Sequence, residues 1–178
     1  MKKICKLAIL FLLLLITLWS IVYLYPAYRK KAFVNDFSQR VENIQKEDIK
    51  ELKLEIYYTD PYVFTRHPWS LEDLICCCDE KRIVEGDKLE EFIKKLSKID
   101  SDSLSLVSER TYPNARIAYV LKNQKKEKLL EVILWAWGTE KDDFVYVNGI
   151  PIQEERFFYN LIEDYIPENR YSTQRHKY

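Results

Sequence analysis

The sequence predicts an α+β protein: an antiparallel sheet with helices packed on one face, preceded by an N-terminal transmembrane helix. Three observations carry this reading. Leu7 to Leu24 is an uncharged run of eighteen residues, the C-terminal half holds three β-rich segments separated by charged turns, and helical-period apolar stripes flank them. The 178 residues suffice for one ordinary domain and an appendage. The expected partition is a basic tail at 1–6, an anchor at 7–25, a juxtamembrane helix or linker at 26–50, a small α+β domain at 51–167 and a flexible tail at 168–178.

At 1.5 Å of rise per residue the apolar run reaches roughly 27 Å, close to the ~30 Å hydrocarbon thickness. Thr17 and Ser20 do not oppose insertion, because a helical hydroxyl can bond back to a preceding carbonyl. Trp19, Tyr23 and Tyr25 suit the far interface. A cleaved signal peptide would have a shorter apolar core and a small-x-small site after it; Tyr25 is too bulky for one. An uncleaved single-pass anchor is therefore expected. Lys2, Lys3 and Lys6 lie on one side and Arg29, Lys30 and Lys31 on the other, so the positive-inside rule nearly ties. The short basic N-terminus favours the orientation with the domain outside the cytoplasm.

After Pro26, the apolar residues Phe33, Val34, Phe37, Val41 and Ile44 make one helical stripe. "LKLEIYY" alternates Leu52, Leu54, Ile56 and Tyr58 against Lys53, Glu55 and Tyr57, the pattern of a half-buried strand. A loop rich in aromatics runs from Thr59 to Trp69, punctuated by Pro61 and Pro68. Ser70 caps a helix with Glu72 and Asp73 in its first turn and an apolar face of Leu71, Leu74, Ile75 and Cys78. Asp87 caps a further helix with Leu89, Phe92, Ile93, Leu96 and Ile99 on one side, and Asp100 to Ser105 is a polar connection. "ARIAYVL", "KLLEVILWAW" and "DFVYVNGIPI" read as strands. Asn148-Gly149 signals a two-residue type I′ hairpin, and Pro151 places the following strand at an edge. A last helix is expected over Glu154 to Ile166, with Phe157, Phe158, Leu161, Ile162 and Tyr165 on one face.

Composition excludes several functions. Six of the 28 basic residues lie within the first 31 positions, so the remainder carries 22 against 28 acids, about −6. Such a domain lacks the field that phosphate backbones require, and nucleic acid is not an expected partner. Only three glycines occur, and neither G-x-G-x-x-G nor a P-loop is present; no cofactor is expected.

Cys76, Cys77 and Cys78 are the candidate chemical group. Adjacent helical side chains diverge by about 100°, so neighbours make no comfortable disulfide. Zinc needs four converging ligands, and His67 is the only histidine between anchor and tail, so no metal site is expected. A Cys–His nucleophile is opposed by Glu72, Asp73, Asp79 and Glu80, since nearby negative charge raises a thiol pKa. Cys76 and Cys77 are the candidate reactive thiols if any react. No motif has both spacing and context for an enzyme.

The aromatic segment supplies the candidate contact surface: Tyr57, Tyr58, Tyr62, Phe64, His67 and Trp69. Tyr and Trp combine contact area with a polar handle, and loops on a rigid scaffold commonly carry function. Trp135 and Trp137 share a strand face and read as core. The expectation is a membrane-anchored, extracytoplasmic binding or interaction domain without catalysis, its partner a protein or a cell-envelope polymer. The layout resembles small bacterial surface proteins, in architecture only, and transfers no functional residue. The alternative is a cytoplasm-facing tethered thiol protein, redox-responsive or metal-binding. It draws on the lack of a disulfide framework in a domain placed outside the cell.

Overall fold

The computed structural model describes residues 2–59, 65–107, 114–135, 144–153 and 156–166. The expected flexible tail, Trp137, and Glu154–Glu155 at the start of the last predicted helix lie outside them. The chain divides into two compact units, with the boundary in sequence after Phe37.

The first unit belongs to α1 (Lys2–Lys46), a single helix of 45 residues with Pro26 inside it. Pro26 withholds one ladder donor, yet the helix continues through it. From Phe11 onward α1 contains a stretch long and apolar enough to cross a membrane, none of it buried. Thr17 behaves as expected of a hydroxyl in an apolar helix, its Oγ1 donating to the Leu14 carbonyl at 2.9 Å. The predicted stripe is realised: Phe33, Phe37, Val41 and Ile44 are buried and Val34 half-buried.

The second unit is built on a seven-stranded antiparallel sheet. Its strands are β1 (Lys53–Tyr58), β2 (Glu80–Val84), β3 (Ser105–Leu106), β4 (Ala115–Lys122), β5 (Lys128–Trp135), β6 (Phe144–Val147) and β7 (Ile150–Gln153), in the spatial order β2-β1-β4-β5-β6-β7-β3. Its helices are α2 (Leu71–Cys77), α3 (Asp87–Leu96) and the single-turn α4 (Phe157–Asn160).

Helices cover both faces, which corrects the one-face expectation. Ile56, Tyr119, Val132 and Val147 stand in register on one face. There the Tyr119 ring meets Phe92 of α3 edge-on at 5.7 Å and its hydroxyl donates to the Phe158 carbonyl of α4 at 3.1 Å. The opposite face presents Tyr57, Ala118, Val120, Ile133 and Tyr146, which cluster with Leu71 and Leu74 of α2. Alternation makes this unavoidable, because apolar residues occupy both parities of β1 and β4 and each parity needs its own cover. For the same reason β1 is buried on both sides rather than half-buried.

Local differences from the expected elements have local causes. Two strands were not legible: β2, a charged edge strand, and β3, only two residues long. The hairpin forms as predicted, with Asn148 at φ 49° and Gly149 at φ 77°. The strand that follows is not an edge, because β3 pairs outside it. Pro151 is tolerated there because β3 ends at Leu106: its carbonyl accepts from Val107 N at 3.1 Å, and the missing N–H falls where the ladder stops. Asp87 is the first residue of α3, not its cap; Gly86 occupies the cap position at φ 62° without a side-chain bond. The last predicted helix is shorter, breaking after one turn into a 3₁₀ turn at Glu163–Tyr165. Phe158, Leu161, Ile162, Tyr165 and Ile166 still bury, while Phe157 is exposed.

Candidate functional site

The aromatic segment divides under its own packing. Tyr57 and Tyr58 are buried, so neither offers the contact surface expected of it. Tyr58 donates to the Glu80 carboxylate across the β1–β2 pair. Tyr62 and Phe64 lie outside the described residues. Trp69 is half-buried against the α2 cluster, and the Arg116 guanidinium lies 5.2 Å from its ring centre. Its backbone is pinned to the start of β4, with Trp69 N donating to Asn114 Oδ1 at 3.2 Å and Ala115 N donating to Trp69 O at 2.8 Å. Of the four described residues among these six, only His67 stands exposed. Packing decides this outcome: burying a large aromatic ring stabilises more than presenting it, unless a partner waits outside.

The cysteines sit as the helical reading requires. Ser70 Oγ accepts from Asp73 N at 3.1 Å while Asp73 Oδ2 accepts from Ser70 N at 2.9 Å, a reciprocal capping box. These bonds to Ser70 hold the Asp73 carboxyl below its ordinary range. Leu71 and Leu74 are buried beneath the helix, but Ile75, expected in the core, is exposed because α2 ends at Cys77 before its face can close. Cys76 and Cys77 are exposed free thiols, and Cys78 is half-buried against the α2 cluster. The Cys77 thiol is pushed up, first by its hydrogen bond to Cys76; burial pushes Cys78 up. Both shifts oppose thiolate formation. Among the described residues no three His, Cys, Asp or Glu side chains are grouped to hold a metal ion.

A site that sequence reasoning missed lies on the α2 face of the sheet, beyond the end that α2 covers. Here the strands present Lys53, Glu55 and Tyr57 from β1, Lys81 from β2 and Lys122 from β4, around a cleft of about 470 Å³. Antiparallel register assembles it. Tyr57 faces Lys81 and Lys53 faces Lys122, so Glu55, midway, is diagonal to both lysines. Glu55 is only 8% exposed. Its Oε1 accepts from Lys81 Nζ at 2.9 Å, and its Oε2 accepts from Lys122 Nζ at 2.5 Å and from the Tyr57 hydroxyl at 2.6 Å. Lys81 also lies 5.1 Å from the centre of the Tyr57 ring.

Protonation follows from these contacts. Burial alone would raise the Glu55 pKa, but the bonds from Lys122, Tyr57 and Lys81 overcome it and hold the carboxyl at about 2. Tyr57 is raised by burial and by its bond to Glu55, and so keeps its proton. Lys81 is raised chiefly by its bond to Glu55, and so keeps its charge. Glu55, Tyr57 and Lys81 are thus each held away from exchanging a proton near neutral pH. What the cluster offers is fixed charge.

The rim adds more. Lys50 and Lys126 line the cleft beside Lys53, Lys81 and Lys122, against the carboxylates of Glu51, Glu55 and Glu85. Lys53 pairs with Glu85 at 3.8 Å, whereas the ammonium groups of Lys50 and Lys126 have no ion pair among the described residues. No known family, curated protein or solved structure matches the chain.

Proposed function

We propose that the chain is a single-pass membrane protein whose α+β domain has a non-catalytic binding role, tethered by residues 7–25 and facing away from the cytoplasm. One observation supports binding over catalysis: in the cleft beside β1, Glu55 is paired with Lys81 and Lys122, and Glu55, Tyr57 and Lys81 are held away from neutral titration. Acid–base catalysis wants a group poised near the working pH. Fixed, pre-arranged charge instead suits recognition, because little ordering remains to be done when a ligand arrives.

The thiol alternative draws on the exposure of Cys76 and Cys77. The raised Cys77 pKa weighs against it, since a redox-responsive thiol needs thiolate character. The two readings separate in one experiment on intact cells expressing the full chain. Under our reading the protein stays with membranes through alkaline carbonate and leaves them only in detergent. A membrane-impermeant maleimide then labels Cys76 or Cys77 before lysis. Release by carbonate refutes the tether; labelling only after lysis refutes the orientation and favours the alternative.

A further inference from the structure

The cleft beside Glu55 combines features that a structural ion-pair cluster does not need. From its lining we infer that it is a binding site for a phosphate group, carried either by a small phosphorylated solute or by a lipid headgroup. This gives a ligand class to the binding role proposed above, and its test reads the cleft without reading the tether, so the two fail separately.

Charge is the first argument. Outside the first 31 residues the chain is acidic, yet the cleft is lined by five lysines and three glutamates, an excess of two positive charges. A phosphate monoester carries about −1.5 to −2 at pH 7, so it would neutralise that excess. Two lysines already satisfy Glu55, which therefore repels an incoming anion far less than a bare carboxylate would. Each ammonium has three donors. Lys81 and Lys122 each spend one on Glu55 and keep donors for a ligand; their side chains are 42% and 24% exposed.

Donor type is the second argument. The lining holds lysines and no arginine. Lysine binds phosphate as a point charge, with no need of the planar fork by which arginine grips carboxylates and phosphates alike. Backbone preparation is the third. Lys50 sits in a 3₁₀ turn, Ile49–Glu51, capped by Asp48, whose side chain accepts from Lys50 N. Lys126 sits in the β4–β5 turn, which is clamped twice: Asn123 Nδ2 donates to Glu127 Oε2 at 2.6 Å and Glu127 N donates to Asn123 Oδ1 at 2.9 Å. Both rim lysines thus project from fixed backbone. A volume of about 470 Å³ exceeds bare phosphate and falls in the range of small-molecule sites, leaving room for an organic remainder.

The experiment uses the full chain in maltoside micelles, titrated with inorganic phosphate by calorimetry at about pH 8, against chloride at matched ionic strength. Saturable one-site binding is expected. The rim variant Lys50→Gln/Lys126→Gln should weaken it about tenfold, on the order of threefold for each ammonium removed from a solvated site. A control with the same charge change, Lys94→Gln/Lys98→Gln on and after α3, packed on the other face, should stay within about twofold. Far-ultraviolet circular dichroism, expected to be unchanged, shows that the rim variant is folded. Binding no stronger than chloride, or equal weakening in both double variants, overturns the assignment. A second arm repeats the titration in nanodiscs of phosphatidylcholine with and without phosphatidic acid. Competition by phosphatidic acid that the rim variant abolishes identifies the headgroup as the source; unchanged phosphate affinity identifies a free solute.

Discussion

Replacing Glu55 with Gln tests the cleft most directly, because stability and binding should move in opposite directions. In the folded chain the carboxyl is held at about 2 rather than 4.5. At about 1.4 kcal/mol per tenfold, this corresponds to roughly 3 kcal/mol in favour of the ionised form. Water reaches part of the cluster, since the Lys81 side chain is 42% exposed. Screening there reduces the net effect, and Glu55→Gln is expected to destabilise the domain by about 2 kcal/mol near pH 7. The sign with pH is fixed. A depressed carboxyl pKa contributes stability that is fully present above the unfolded value and is lost as pH falls through the folded one. The gap between wild type and variant should therefore close between about pH 4.5 and about pH 2. Urea unfolding in maltoside micelles, followed by tryptophan fluorescence, reads it. Phosphate affinity should rise in the same variant, because an uncompensated ammonium now faces the cleft. A gap that is constant across that pH range, or smaller than about 0.5 kcal/mol at neutrality, would refute the reasoning.

Three further outcomes follow from the local structure. Ser70→Ala removes the acceptor for Asp73 N and should lower stability by about 1 kcal/mol in the same unfolding assay; an effect near zero would mean that α2 is held by packing alone. Gly149→Ala meets no atom within 4 Å of the new Cβ, but Gly149 sits at φ 77°. Its expected penalty of about 1 kcal/mol is purely conformational, whereas Asn148→Gly at the neighbouring position should cost about 1 kcal/mol by a different route, since it removes the Oδ1 that accepts from Glu131 N at 2.9 Å. Cys77 should alkylate more slowly than glutathione at about pH 7.5, and faster once Cys76→Ala removes the hydrogen bond that raises its pKa. Mass spectrometry of timed maleimide reactions reads both rates, and a Cys77 faster than glutathione would reverse the conclusion.

The parts of the fold legible in the sequence are those whose cause is local. The Ser70 cap, the Asn148-Gly149 turn and the strand character of β1 and β4 each arise from residues within a few positions of one another. The charged edge strand β2 was illegible for the opposite reason: "EKRIV" has no strand-like pattern and becomes a strand because β1 offers it a ladder. The candidate site inherits that difficulty. Glu55 finds its partners 26 and 67 residues away, and only the register of β1 against β2 and β4 sets Lys81 and Lys122 diagonal to it. The aromatic segment drew attention by its composition, yet composition cannot distinguish a ring that will be packed from one that will be presented. For Tyr57 and Tyr58 the sheet decided it, since each parity of β1 faces a covered surface.

Burying Glu55 constrains everything around it. A carboxylate with so little exposure survives only because two ammonium groups and a phenol meet it. Any substitution that removes one donor leaves the others carrying more of the desolvation penalty. Tyr57 links that cluster to the α2 core, with its ring packed among Leu71, Leu74 and Ala118 and its hydroxyl on the carboxylate. Through Tyr57 the apolar and charged ends of this sheet face are joined at one residue. Lys81 and Lys122 are held by that carboxylate, so their ammonium groups are placed by folding itself. The positive excess at the cleft comes instead from Lys50 and Lys126, exposed side chains that the fold places only through the backbone of their two turns.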